Sequence, residues 1–170
     1  MADFKNTIIR LIEEDEFFWL VENLSLFWPE NADHMQSILD PFWFYEFGNT
    51  MYVAVTKDKL VDIIGLVLGV QSQRDNVHGY IVFVATHVDW RRKGVGTLLY
   101  SHLFDSLKEK NIISILTAIR PDNIPSLLFH KSMRFNFYKR RNETTIIDGN
   151  LAICDYRGKG KHRYVLEKKL

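Results

Sequence analysis

Arg91-Arg92-Lys93-Gly94-Val95-Gly96 places three cations and two glycines in six residues. These residue types suit the binding of an anion. Glycine has no Cβ, so a ligand can approach its backbone closely, and the cations add positive charge beside it. Upstream, Tyr80-Ile81-Val82-Phe83-Val84 is an apolar, β-branched and aromatic run that predicts a strand. Downstream, Val95, Leu98, Leu99, Leu103 and Leu107 recur as one face of a helix. The first N–H groups of a helix lack intrahelical partners, and its dipole favours negative charge there. A phosphate or pyrophosphate is the expected ligand. Glycines between a strand and a helix also serve as plain turn chemistry, and at this point that reading stays open.

Two known phosphate loops fit poorly. A Walker loop ends in Gly-Lys-Ser/Thr, whereas Gly96 is followed directly by Thr97. The dinucleotide fingerprint needs a third glycine where Leu99 stands.

The elements that must position this loop can be read in order. Residues 7–12 predict a short strand. Glu13-Glu14-Asp15 supplies acids suited to a helix start, and Phe17, Phe18, Leu20, Val21, Leu24 and Phe27 give a broad helical face that Pro29 ends. Asn31 or Asp33 would cap a second, short helix through Ile38-Leu39, closed before Pro41. Residues 42–47, with Trp19, Phe27 and Trp28, concentrate aromatic side chains. Such a cluster serves as core or as the wall of a pocket or partner surface, and Trp28, Phe42, Trp43 and Tyr45 are candidates for the second role.

Residues 51–56 and 61–70 predict strands around a polar turn at residues 57–59. Gly65 and Gly69 suggest bending or a bulge in the longer strand. Asp75-Asn76 is turn material before the strand that begins at His78 or Tyr80. Residues 112–119 predict another strand, and a strand–helix–strand crossover makes the pair parallel. Asn123 can cap a helix over residues 124–132, with Pro125 in its first turn. Residues 135–138 open a further strand, residues 142–160 read as a long loop with a short strand at 151–153, and residues 163–167 form the last strand. With no repeat or linker, residues 1–170 are expected to form one domain.

Composition narrows the function. The chain is 46% apolar and 25% charged with a net charge of +1, so there is no global pull toward nucleic acid or membrane. From Lys139 onward nine Lys/Arg stand against four Asp/Glu, a stretch that suits a solvated surface or phosphate contacts. The single cysteine, Cys154, excludes an intrachain disulfide. The N-terminus lacks a basic region followed by an apolar run, so a cytoplasmic location is expected.

The stretch Arg91-x-x-Gly94-x-Gly96 resembles the acyl-CoA pyrophosphate loop of the GNAT N-acetyltransferase superfamily. A second motif is similar too. Asn123-Ile124-Pro125-Ser126-Leu127-Leu128-Phe129-His130 resembles the family's Asn-x-x-Ala/Ser-x-x-Leu/Phe-Tyr/His, with Arg134-Phe135 in the place of its Gly-Phe. The order of elements matches the family's over almost the whole chain. The resemblance implies an α/β fold of the α+β kind: a mixed, mostly antiparallel sheet with a parallel, splayed central strand pair and helices on both faces. It implies acetyl-CoA as co-substrate and no metal. Backbone of Val84, Ala85 and Thr86 would pair with the pantetheine, and the loop from Arg91 through Arg92, Lys93, Gly94, Val95 and Gly96 to Thr97 would take the pyrophosphate. Asn123 would bond the pantetheine arm. Ser126, Phe129 and His130 would share the face of the helix turned to the thioester.

The implied reaction is acetyl transfer to a primary amine of a small molecule or a protein. His130 would be the general acid, because it falls seven residues after Asn123, where the family most often has tyrosine. A departing thiolate has a conjugate-acid pKa near ~8.5 and an ordinary histidine one near ~6.5, so a protonated ring donates readily, and even a neutral one can hydrogen-bond the sulfur through its N–H. The family's glutamate base has no counterpart, since Tyr80 and Ala118 hold the matching positions. His78 and Glu46 are possible substitutes, and water suffices if the substrate is well positioned. Arg134 in place of glycine would be strained if that turn needs a positive φ. A catalytically weak acyl-CoA-binding or sensing domain is the alternative. Partners are expected to be the amine acceptor, without nucleic acid or membrane, for a monomer or homodimer.

Overall fold

A computed structural model describes residues 7–56, 63–139 and 143–170. The polar turn expected at residues 57–59, the first two residues of the strand expected from Val61, and Asn142 fall outside the described residues. The chain divides into two compact units. One comprises Met1–Val70 and Ile81–Lys110, and the other comprises Gln71–Tyr80 and Asn111–Leu170.

The first unit carries strands β1 (Thr7–Leu11), β2 (Met51–Thr56), β3 (Ile63–Gln71) and the distal part of β4 (His78–Thr86), in that order in the sheet. β1–β2 and β2–β3 are antiparallel. The register of β2 on β3 shifts between Ala54 and Val55, so Ile64 is an extra residue on β3, immediately before Gly65. The suspected bulge is therefore there. Gly65 and Gly69 have a further reason. A Cβ at Gly65 would lie 2.8 Å from Val95 Cγ1, and one at Gly69 would lie 2.8 Å from Leu103 Cδ1. Two glycines without side chains let helix α4 (Val95–Glu109) settle close onto β3. Val95, Leu99, Leu103 and Leu107 of α4 are buried on the face the leucine spacing indicated, while Leu98, counted on that face, is only half-buried.

Helices α1 (Glu14–Glu22), α2 (Ala32–Gln36) and α3 (Pro41–Phe47) complete this unit. α1 is shorter than the apolar pattern suggested. It ends at Glu22, long before Pro29, and a 3₁₀ turn at Leu24–Leu26 continues the apolar face. The Arg10 guanidinium holds Glu16 with two bonds, at 2.7 and 2.5 Å, and Glu16 also accepts from the Glu13 N–H at 2.9 Å. β1 and the first turn of α1 are thereby joined. α3 is an addition to the sequence reading. Its signal was Asp40-Pro41: Asp40 accepts from the Phe42 N–H at 2.8 Å as N-cap, and Pro41 occupies the first turn.

The aromatic cluster is mainly core. Trp28 and Trp43 pack partly buried against the hydrophobic cluster of Phe17, Leu20, Phe27 and their neighbours. The Trp43 indole donates to the Ile38 carbonyl at 2.9 Å. Phe42 and Tyr45 stay exposed.

The second unit has the strand order β4, β5 (Ser114–Ile119), β9 (Tyr164–Lys169), β6 (Asn136–Phe137). β4 and β5 are parallel, with His78, Gly79 and Tyr80 opposite Ser114, Ile115 and Leu116. β5–β9 and β6–β9 are antiparallel. Helix α5 (Ile124–Ser132) follows β5 over the range its caps indicated. The stretch read as a long loop contains a hairpin, β7 (Thr144–Ile147) and β8 (Asn150–Ile153). Asp148 and Gly149 make its two-residue turn, both at positive φ, which is the demand of a type I′ turn that an Asp-Gly pair meets. Among the described residues, no helix is long and apolar enough to cross a membrane.

Candidate active site

In the first unit, β4 leads through a 3₁₀ turn (Val88–Trp90) into the cationic loop. Along β4 burial alternates, so Val82, Val84 and Thr86 are half-exposed while Phe83 and Ala85 are buried. Arg92 lies at φ 60° and Gly94 at φ 83°, so the loop passes twice through the left-handed region. Gly94 is the N-cap of α4 and has no side chain to cap it. Its carbonyl accepts from the N–H groups of Thr97 and Leu98 at 3.0 and 3.1 Å, which leaves the amides of Val95 and Gly96 at the mouth of a 15-residue helix. Such an end, with its dipole, can hold a phosphate.

The three cations do not share one task. Arg91 Nη2 donates to the Phe27 carbonyl at 2.9 Å, and the Lys93 ammonium lies 4.8 Å from the centroid of the Trp90 ring. Arg92 is exposed. Arg91 was grouped with the anion-facing charges by sequence, but its side chain is anchored to the end of the 3₁₀ turn that follows α1.

In the second unit, α5 collects Asn123, Ser126, Phe129 and His130. Asn123 is its N-cap, with Oδ1 accepting from the Ser126 N–H at 3.1 Å. Its amide nitrogen is the group that remains to donate. His130 is 2% exposed, set between the rings of Phe129 and Phe135 at 5.5 and 5.2 Å. Its Nδ1 lies 2.7 Å from the Ser126 carbonyl, one turn back, and therefore carries the proton. Burial pushes the His130 pKa down to about 4, against a smaller upward pull from that carbonyl. This environment does not suit the charged donor expected from sequence. The ring is neutral at neutral pH, and its Nδ1 proton is committed to the backbone.

A second group of residues in this unit surrounds a cavity. A cavity of about 230 Å³ is lined by Asp75, His78, Tyr80, Leu116, Tyr138 and Tyr156, among others. His78 Nδ1 lies 2.8 Å from Asp75 Oδ2. Asp75 also accepts from the N–H groups of Val77 and His78 at 3.3 and 3.2 Å. Desolvation pulls the Asp75 carboxyl up, but the His78 ring and those two amides outweigh it and hold the group below the usual carboxylate range. The sequence offered Asp75 as turn material and His78 as a possible base. Nothing in it joined either of them to Tyr138 and Tyr156, which lie at distant positions.

Two other candidates recede. Desolvation, Glu143 and Asp155 raise the Cys154 thiol above its ordinary pKa, the opposite of an activated nucleophile. Among the described residues, no three His, Cys, Asp or Glu are grouped so as to hold a metal ion.

The model of the acetyltransferase (GNAT) family matches residues 10–135. The [ribosomal protein bS18]-alanine N-acetyltransferase of Escherichia coli is 30% identical over 67 residues, which are 39% of this chain and 45% of that protein. The chain thus spans less than half the length of the curated relatives it matches. Its fold is similar to that of Ard1 from Thermoplasma volcanium, with a TM-score of 0.69 at 15% identity over 97% of this chain and 98% of that one. A chain of the NatC complex bound to Gag peptide and CoA gives 0.69 at 16% identity, over 97% and 99%. With a family match that spans both the glycine loop and the Asn123–His130 helix, the chain belongs to the acetyltransferase (GNAT) family.

Proposed function

We propose that this protein transfers the acetyl group of acetyl-CoA to a primary amine. The observation that carries the reading is the start of α4. A left-handed, side-chain-free N-cap at Gly94 presents the amides of Val95 and Gly96, at the position where the family motif requires a pyrophosphate site. In this reading Val84, Ala85 and Thr86 hold the pantetheine through their backbone, and the Asn123 amide donates to the same arm. Acetyl-CoA supplies an activated carbonyl, which the amine attacks. A thiolate is a good enough leaving group that no charged acid need stand beside it, which is consistent with a neutral His130.

For the acceptor, the curated relatives support a polypeptide amine. The E. coli relative is named for an alanine of ribosomal protein bS18, and the NatC structure holds a peptide with CoA. An α-amine of a protein is accordingly the preferred acceptor class, ahead of a free small molecule. A second reading is a catalytically weak acyl-CoA sensor, favoured by Tyr80 and Ala118 standing where carboxylates are usual. Release of CoA thiol separates the two. The purified protein is offered acetyl-CoA with a peptide beginning in alanine, an N-terminally blocked peptide containing lysine, phenethylamine and spermidine. Turnover of the first, with acetylation located on its α-amine by mass spectrometry, supports the main reading. CoA binding without turnover of any of the four supports the sensor.

A further inference from the structure

We infer that the loop joining β8 to β9, together with the facing ends of β5 and β9, is a docking surface for an acidic segment of a partner polypeptide. This surface lies wholly in the second unit and is independent of the acetyltransferase reading.

Residues 155–163 read Asp-Tyr-Arg-Gly-Lys-Gly-Lys-His-Arg, with four permanent cations against one acid. The loop has a defined shape. Asp155, Gly158 and Gly160 lie at φ 48°, 108° and 74°, so the chain folds back on itself. Asp155 Oδ1 accepts from the Gly160 N–H at 2.7 Å. The Asp155 carbonyl accepts from the Gly158 N–H at 3.0 Å, and the Gly158 carbonyl from the Lys161 N–H at 2.9 Å. His162 Nδ1 accepts from the Asp155 N–H at 3.1 Å. The acid of the loop is thus engaged in closing it. Arg157, Lys159 and Lys161 are exposed, and among the described residues they form no ion pair. A Cβ at Gly158 or Gly160 would meet nothing within 4 Å, so the space beside this backbone is open to a partner.

The strand ends add two guanidinium groups. Ile119 of β5 faces Tyr164 of β9 in antiparallel register. The next residues outward, Arg120 and Arg163, therefore stand beside each other at that end of the sheet. Asp122 accepts from Arg120 through both Nε and Nη2, so this carboxylate is already engaged. Arg163 Nη1 donates to the His162 carbonyl at 2.7 Å. Burial, and after it the charges of Arg157 and Arg120, hold the Arg163 guanidinium below the ordinary arginine value, against a smaller opposing pull from Asp122. Cations that repel one another in this way attract an anion, which relieves the repulsion. A guanidinium matches a carboxylate with two parallel N–H···O bonds, and a lysine adds a point charge that can follow its partner.

A run of Glu and Asp side chains fits this surface better than a nucleic acid or a membrane. The cations are confined to a nine-residue loop and one sheet end, in a chain of net charge +1. A single-stranded nucleic acid needs a charged track, with aromatic faces for its bases. The one aromatic residue of the loop, Tyr156, is half-buried and lines the cavity described above. The loop has no exposed apolar side chain to enter a lipid surface. Carboxylates on the flexible side chains of a polypeptide can converge on a cluster this compact.

Fluorescence anisotropy tests the surface, with the full chain and without CoA. The probe is a labelled peptide of alanine followed by alternating Glu and Asp. Its Gln/Asn counterpart and a labelled oligouridine are the comparisons. The parent should bind the acidic peptide and not the neutral one, with affinity falling about tenfold between about 50 and 200 mM salt. The triple variant Arg157→Gln, Lys159→Gln, Lys161→Gln removes exposed charge and keeps the bonds that close the loop. Its melting temperature should match the parent's while its affinity for the acidic peptide falls at least about tenfold. Lys159→Glu should by itself weaken binding several-fold, and it serves should the triple variant fold poorly. No binding of the acidic peptide, or parental affinity in both variants, would overturn the assignment. Tighter binding of oligouridine would replace the polypeptide with RNA, and displacement of the peptide by CoA would give these cations to the cofactor. None of these outcomes bears on acetyl transfer, which the four amines above decide.

Discussion

Arg91 donates from Nη2 to the carbonyl of Phe27, 64 residues earlier, at 2.9 Å. Phe27 is 1% exposed and packs edge-on to the His87 ring. The first residue of the anion loop is therefore a strut between the end of the 3₁₀ turn after α1 and the approach to α4. Arg91→Ala leaves a buried carbonyl without its charged donor. We expect a loss of about 1–2 kcal/mol in urea denaturation, with CoA affinity falling only a few-fold. A variant with parental stability and no CoA binding would make Arg91 an anion ligand instead.

Gly96→Asp separates stability from binding. Gly96 occupies the first turn of α4, where an acidic side chain interacts well with the helix dipole, by about 0.3–1 kcal/mol. The same carboxylate would meet the CoA pyrophosphate. The melting temperature should hold or rise, while calorimetric affinity for CoA falls at least a hundredfold. Undiminished affinity would remove the pyrophosphate from this loop.

His130 should tie stability to pH. In the unfolded chain its pKa is near ~6.5, and in the fold it is about 4. The unfolded state thus binds more protons between these values. Stability is fully present above the unfolded pKa and is lost as pH falls through the folded one, by up to about 3 kcal/mol. Denaturation at pH 7.5 and 4.5 should show a smaller difference in His130→Phe than in the parent. An equal difference in both would place the pH sensitivity elsewhere. The same variant tests the catalytic assignment at pH 7.5: a fall of about 10²-fold in kcat keeps His130 as the acid, and parental turnover removes it.

Arg134→Gly should stabilise the protein. Arg134 lies at φ 64° immediately after the C-cap of α5, and the Phe135 N–H closes the helix end on the His130 carbonyl at 3.0 Å. A helix end of this kind favours glycine. An L-residue pays roughly 1–2 kcal/mol for the left-handed conformation, part of which glycine gives back through its freer unfolded chain. A gain of about 1 kcal/mol, or a rise of about 2–4 °C in Tm, is expected in a thermal melt. A lower Tm would mean that the arginine side chain contributes more than its backbone costs.

What the sequence determined by itself is what depends on near neighbours. The leucine spacing of α4, the glycine loop before it, the Asn123 cap of α5 and the apolar runs of β4 and β5 all act within a few residues, and each stands where expected. Arg134 stands out only against the family's glycine, and its φ of 64° meets the condition for strain. Two further local signals act in the same way: Asp40-Pro41 opens α3, and Asp148-Gly149 turns the β7–β8 hairpin. The tertiary structure alone decided the rest. Gly65 and Gly69 are required by a helix some 30 residues away. Arg91 is drawn off by a carbonyl on another element. Above all, the surroundings of a histidine depend on the tertiary structure, and burial among apolar groups penalises its charged form. His130 and His78 look alike in the sequence; packing buries the first among aromatic rings, and a turn sets the second against Asp75.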